Sequence, residues 1–285
     1  MPRDAYVNGR YVPHGQACVH VEDRAYQFAD GVYEVVAIHH GRIVDEGPHL
    51  DRLDHSLKSL KIGWPMSRAC LKLVMRELIR RNGIQTGSLY LQVSRGVAPR
   101  DHAFPKKPPR PALVMTTRHG KPQNKALLEK GAAAITIPDI RWERCDIKSV
   151  ALLPNILGKQ QAHEAGADEA WQVDADGTVT EGTSTNAWIV TKDGELVTRP
   201  LGKAILAGIT RQSVLKIAAE AQGKFVERPF TVAEAKQARE AFLTSTTSFV
   251  LPIVSLDGDK IGDGKPGPLA RRLRELYLAY MEDAA

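Results

Sequence analysis

Apolar and polar residues alternate through the first hundred or so positions, and that alternation predicts hairpins interleaved with two helices. Tyr6-Val7-Asn8-Gly9-Arg10-Tyr11-Val12 turns about Asn-Gly, a dipeptide that takes both positive-φ positions of a two-residue hairpin at little cost. Residues 32–44 read as two strands turning near His40-Gly41-Arg42. Helical spacing follows at 49–61 and 66–82, where Leu71, Val74, Leu78 and Ile79 form one apolar stripe and Asn82-Gly83 supplies a stop. Residues 88–95 alternate again, with Leu89, Leu91 and Val93 on one face. A proline-rich stretch then leads into a strand at 112–117, and 118–125 have no strong period, as a link between domains would.

The second half mixes the two periods differently. A strand is expected at 132–137, a helix at 154–165 with Pro154 in its first turn, and strand pairs at 170–180 and 188–197 turning at Asp176-Gly177 and Asp193-Gly194. Helices are expected at 208–222, 231–239 and 268–283. Short sequential strands with segregated helices predict an α+β protein, not a regular β-α-β array. There is no internal repeat.

Composition changes this picture little. With 285 residues, the chain has core enough for one large domain or two modest ones. No apolar run approaches the roughly 20 residues that span a bilayer, and the first residues lack a secretory core. Cys18, Cys70 and Cys145 are odd in number and widely spaced, so neither zinc pairing nor a disulfide framework is expected, and the cytoplasm is the simplest location. The net charge of +6 invites a nucleic-acid reading, but the basic residues are interleaved with acidic ones. The densest basic stretch, Lys106-Lys107-Pro108-Pro109-Arg110, is broken by proline and reads as a solvated loop. Neither nucleic acid nor membrane is expected as a partner. His39-His40 reads as a strand end, and His49 and His55 are too far apart to be adjacent helical ligands, so no metal is expected.

Candidate chemistry gathers around two isolated residues. Lys148 lies among apolar neighbours in Asp146-Ile147-Lys148-Ser149-Val150, a setting that can release a nucleophilic amine near neutral pH. Glu181 opens the small-residue loop Glu181-Gly182-Thr183-Ser184-Thr185-Asn186. Gly208-Ile209-Thr210 starts a helix, where backbone N–H groups and the helix dipole favour a phosphate. Ser245-Thr246 offers further hydroxyls and amides, and Arg52 a planar donor fork. Arg100 and His102 alternate in an extended loop, and with Tyr33 they could hold a carboxylate. Taken singly, each also fits an ordinary role: a solvated lysine, a turn glutamate, helix caps, a surface ion pair, a packed tyrosine, a basic loop.

The ordered set goes further. Tyr26-Gln27-Phe28-Ala29-Asp30-Gly31-Val32-Tyr33-Glu34, Asp51-Arg52-Leu53, Pro99-Arg100-Asp101-His102, Asp146-Ile147-Lys148, Glu181-Gly182, Gly208-Ile209-Thr210-Arg211 and Thr244-Ser245-Thr246-Thr247 run through nearly the whole chain. Together they resemble the fold-type IV pyridoxal-phosphate aminotransferases, and among these the D-amino acid aminotransferases. The resemblance implies a smaller N-terminal domain (1–118), a linker (119–125) and a larger C-terminal domain (126–285) carrying Lys148. It implies pyridoxal 5'-phosphate held as a Schiff base on Lys148, with Glu181 on the ring nitrogen. Arg52, Thr183, Ser184, Leu206, Ile209, Thr210, Ser245 and Thr246 would complete the cofactor site, with Leu206 against the ring. Tyr33, Arg100 and His102 would trap the substrate carboxylate, the arginine and histidine coming from the partner in a homodimer. D-Alanine and D-glutamate would pass their amino group to 2-oxo acids (2-oxoglutarate, pyruvate) in a ping-pong cycle. A branched-chain L-amino acid aminotransferase or an aminodeoxychorismate lyase on the same fold remains open, as does, from another class, a noncatalytic basic binding protein. Ala29 before Asp30 and the approach Trp142-Glu143-Arg144-Cys145 depart from the family pattern and leave pocket size open.

Overall fold

A computed structural model describes residues 3–120, 124–220 and 225–284. The chain divides into two compact units, Met1–Lys121 with Ile147–Ala151 and Met281–Ala285, and Pro122–Asp146 with Leu152–Tyr280.

In the first unit, β1 (Asp4–Val7) and β2 (Arg10–Pro13) pair across Asn8 and Gly9, whose φ angles of 47° and 100° are the positive values an Asn-Gly turn is suited to. Next come α1 (Arg24–Phe28), β3 (Gly31–His39), β4 (Arg42–Ile43), α2 (Glu46–Ser59), α3 (Arg68–Arg81), β5 (Gly87–Ser94) and β6 (Ala112–His119). The six strands form an antiparallel sheet in the order β2-β1-β6-β5-β3-β4. Leu50, Leu53 and Leu57 of α2 and Leu71, Met75, Leu78 and Ile79 of α3 are buried with Leu89, Leu91 and Val93 of β5 in one core. Burying such a side chain contributes roughly 1.5–3 kcal/mol. Val74, expected on the α3 stripe, lies at its margin, because Met75 takes the i+4 position from Leu71.

The second unit holds α4 (Lys125–Lys130), β7 (Ala132–Pro138), α5 (Leu153–Glu164), β8 (Glu169–Val173), β9 (Val179–Gly182), β10 (Asn186–Val190), β11 (Leu196–Thr198), α6 (Ile209–Glu220), β12 (Phe225–Glu227), α7 (Val232–Gln237), β13 (Glu240–Ser245), β14 (Phe249–Leu256), β15 (Asp259–Lys260) and α8 (Pro268–Ala284). Its sheet runs β12-β11-β10-β13-β14-β7-β8-β9, with β15 on β14. The pairs β11·β12, β14·β7 and β7·β8 are parallel and the rest antiparallel, so the sheet is mixed. The architecture is the expected α+β one.

Two local expectations differ, and parts of two others are not described. Residues 121–123 of the expected linker and 221–222 of an expected helix lie outside the described residues, and α4 begins at the linker's end. Strands β13 and β14 were not foreseen: both are largely buried, so they lack alternation, and β14 runs on through Pro252, which faces Phe242. Most consequentially, Ile147–Ala151 clusters with the first unit instead of the C-terminal domain. A bridge from Ser149 to Val32 draws this segment onto β3, and Ile147 is buried in the first core.

Candidate active site

In the first unit, the backbone around Lys148 is clamped. Its carbonyl accepts from Tyr33 N (3.0 Å), its N–H donates to Ser56 Oγ (3.1 Å), and Val150 N donates to Gly31 O (3.1 Å). The side chain lies over Tyr33, with Nζ 4.3 Å from the ring centroid, so the π face helps to accommodate positive charge there. Tyr33 stacks on Tyr90 at 5.7 Å, a diagonal pair made by the register of β3 and β5. Tyr90 donates to Gln92 Oε1 (2.6 Å), and burial beside Tyr33 pushes its phenol up to about 12.

Glu34, next along β3, is buried. There His49 and Arg52, one turn apart on α2, meet it: His49 Nδ1 lies 2.7 Å from Oε2, while Arg52 Nε and Nη2 donate to Oε1 and Oε2 at 2.8 and 2.7 Å. Burial would raise Glu34, but Arg52 and His49 outweigh it and hold the carboxyl down at about 2. Burial lowers His49 despite Glu34, so it is a neutral ring whose Nδ1 carries the shared proton. The donor edge of Arg52 expected to face phosphate is therefore engaged by Glu34.

The described contacts of Arg100 and His102 run to Phe28 rather than Tyr33. The Arg100 guanidinium lies 5.0 Å from the Phe28 centroid, and the His102 ring 5.4 Å from it. Their loop is tied down by buried Arg24, which donates to Asp101 O (2.6 Å) and through Nε to Asp30 (2.8 Å). Arg95 grips the same Asp30 with two bonds of 2.6 and 2.9 Å.

In the second unit, Glu181 at the end of β9 is buried among donors. Arg141 Nη1 donates to Oε1, Asn186 Nδ2 to Oε2 (3.0 Å), and Leu206 N to both oxygens (3.2 Å each). Arg141 also grips Asp139 through Nη2 (2.7 Å), and Thr180 Oγ1 donates to Asp139 Oδ2 (2.7 Å). Burial works against the charges of Asp139 and Arg141. Arg141 nevertheless keeps Asp139 low, and both carboxylates keep Arg141 high. The following loop is bolted from beneath: Thr183 Oγ1 and Thr185 Oγ1 donate to buried Glu169 at 2.5 and 3.1 Å, and Asn155 Nδ2 donates to Thr183 O (2.8 Å). Ser184 projects outward. Ile209 and Thr210 are the first residues of α6, whose opening N–H groups have no intrahelical acceptor. Ser245 ends β13, its Oγ accepting from Ser248 N (3.0 Å), and Thr246 follows in the turn.

The first unit thus brings Lys148 to Tyr33, and the second gathers Leu206 onto Glu181. Arg141, Asn186, Glu169, Arg24 and Arg95 were not foreseen. Asn186 had a signal, as the last residue of the Glu181 motif. Arg141 reaches Glu181, Glu169 reaches Thr183, Arg95 reaches Asp30 and Arg24 reaches the Asp101 carbonyl across 14 or more residues, links that local pattern does not reveal.

These groups suit pyridoxal 5'-phosphate. The first unit supplies an amine on a fixed backbone. The second supplies a carboxylate held by buried donors, as a partner for a ring nitrogen, and a helix start that carries the Thr210 hydroxyl, as a phosphate requires.

The comparisons with known proteins agree. The chain is 39% identical to the D-alanine aminotransferase of Staphylococcus haemolyticus over 278 residues, 97% of each chain. It is 42% identical to that of Bacillus licheniformis over 267 residues, 94% of this chain and 93% of the relative. The solved T.th. branched-chain amino acid aminotransferase with pyridoxamine 5'-phosphate matches it with a TM-score of 0.91 at 27% identity, covering 100% of this chain and 96% of that one. The family model of the class IV amino-transferases matches residues 31–256, from the start of β3 to the end of β14, and the chain belongs to that family.

Proposed function

We propose that this chain is a pyridoxal-phosphate-dependent transaminase that moves the amino group of D-amino acids, with D-alanine and D-glutamate foremost, to 2-oxo acids. The observation that carries the reading is the buried Glu181 carboxylate, held by Arg141, Asn186 and the Leu206 N–H in a state that can accept a ring N–H. The cofactor supplies an aldehyde and an electron-withdrawing ring that spreads the charge left when a substrate Cα loses its proton.

The chain's own residues do the rest. Lys148 Nζ would anchor the cofactor aldehyde and, when free, would be the base that takes the Cα proton and delivers it to the carbon two bonds away. Glu181 keeps the ring nitrogen protonated. The first N–H groups of α6 at Ile209 and Thr210, with Ser245 and Thr246, bind phosphate. Arg52, oriented by Glu34, adds positive charge, Leu206 covers a ring face, and Thr183 and Ser184 shape the loop beside Glu181. Tyr33, Arg100 and His102 bind the substrate carboxylate, with Arg100 and His102 reaching the site of the partner subunit in a homodimer. Its small-molecule partners are amino acids and 2-oxo acids, and its place is the cytoplasm. Among the described residues, no helix is long and apolar enough to cross a membrane.

One observation favours a second reading: the solved structure reported above is a branched-chain enzyme. The greater identity to the D-alanine enzymes favours the first. The deciding experiment pairs D and L forms of alanine, glutamate and leucine with 2-oxoglutarate, and treats wild type and Lys148→Ala with borohydride. D-Alanine turnover with a chromophore fixed only in the wild type is the expected result. Preference for L-leucine would replace the substrate assignment, and normal turnover by Lys148→Ala would end the mechanism.

A further inference from the structure

The β3–β4 hairpin carries two histidines whose rings lie side by side. Successive strand residues project to opposite faces, so His39 and His40 would ordinarily diverge. His40 instead has a φ of 49° and is followed by Gly41 at 73°, a reversal held by Gly41 N donating to Gln85 O (2.9 Å). The left-handed residue brings the two ring centroids within 4.1 Å. Both rings then address one carboxylate near the end of α8. His39 Nε2 lies 2.8 Å from Glu282 Oε1, and His40 Nε2 lies 3.2 Å from Glu282 Oε2. One ligand atom from each of the three residues falls within 4.8 Å of the others.

We propose that His39, His40 and Glu282 form a surface site for a divalent transition-metal ion, with zinc the best match. Two imidazole nitrogens and one carboxylate oxygen are a donor set for zinc, nickel or copper, whereas calcium and magnesium take oxygen ligands. The ion takes the place of the direct contacts between the rings and the carboxylate, and imidazoles bind such an ion in their neutral form. His40 and Glu282 are exposed and His39 half-buried, so the ion enters from solvent and water completes its coordination. The bound ion fastens the end of α8 to the hairpin. None of the three residues takes part in the transamination chemistry assigned above, so the site is independent of that reading.

The test uses cofactor-loaded protein freed of unbound cofactor and metal, in a Cys18→Ser/Cys70→Ser background that removes the exposed thiols as competing ligands. Calorimetric titration with zinc chloride is expected to show one saturable equivalent per chain. His40→Ala and Glu282→Gln should weaken it by at least about tenfold, since even outer-shell changes cost that much, while the control His20→Ala leaves it unchanged. Cobalt in place of zinc should give ligand-field bands that both variants lose. Transamination by each variant at the parent rate certifies the fold. No saturable equivalent in the parent protein, or an unchanged Kd in both variants, overturns the proposal.

Discussion

Arg141 donates to the Glu181 carboxylate with both side chains almost wholly shielded from water, at 6% and 7% exposure. The same guanidinium holds Asp139, so one cation serves two buried carboxylates. Arg141→Met should therefore remove the cation from both and destabilise the protein by about 3–5 kcal/mol, read as a fall in melting temperature. Glu181 would then ionise less readily, and the acidic limb of the kcat profile should move to higher pH, with kcat about a hundredfold lower. Arg141→Lys should fall between the two, because an ammonium lacks the fork that reaches both acids. An unmoved acidic limb in Arg141→Met would detach Arg141 from the chemistry.

Gly208 tests the other side of Glu181. A Cβ there would lie 2.0 Å from Asn186 Oδ1, and Asn186 is not free to swing, since its Nδ2 bonds both Glu181 (3.0 Å) and Leu206 O (3.1 Å). Gly208→Ala should cost about 1–3 kcal/mol as an overpacked site. It should also weaken cofactor retention, measured as a higher concentration of pyridoxal phosphate for half-maximal activity. Wild-type retention in a variant of normal stability would mean that Asn186 does not position Glu181.

What could be read in the sequence was what is local. Asn8-Gly9 announces its hairpin because the turn needs two positive φ values, and the α2 and α3 stripes are periodic because each helix buries one face. Lys148 and Glu181 were visible through short motifs. Strands β13 and β14 were hidden because burial on both faces erases alternation. The membership of Lys148 in the first unit was hidden too, since it depends on Ser149 pairing with Val32 far back in the chain. Likewise, nothing near His39 announces Glu282, 243 positions away.

Cys145 lies three residues before Lys148 and invites a catalytic reading that its surroundings oppose. Burial, outweighing the pull of Arg141, pushes its thiol up to about 11, and its Sγ is placed to donate to Trp142 O (3.2 Å). A thiol so far from ionisation is a poor nucleophile at neutral pH. Iodoacetamide treatment of native protein near neutral pH, followed by peptide mass mapping, should label exposed Cys18 and Cys70 and spare Cys145. Cys145→Ser should keep most activity. Labelling of Cys145 at the rate of the other two would contradict the burial argument.

The Glu34–His49–Arg52 cluster predicts how the protein responds to acid. Glu34 falls from 4.5 unfolded to about 2 folded, so its contribution is complete above 4.5 and is lost as pH falls from there through about 2. At about 1.4 kcal/mol per unit, that contribution is on the order of 3 kcal/mol. His49 acts earlier: its folded value lies below the unfolded 6.5, so below that pH the unfolded chain binds a proton the native ring refuses, and stability starts to fall. Melting temperature followed from neutral to acid should thus bend first near 6.5 and again below 4.5. Glu34→Gln should be less stable above about pH 4.5, with Arg52 left buried beside a neutral amide, and its second bend should shrink. Because Glu34 raises His49, the same substitution should lower the ring's folded value further and carry the first decline to lower pH. A second bend of undiminished depth in Glu34→Gln would assign the acid sensitivity to other carboxylates.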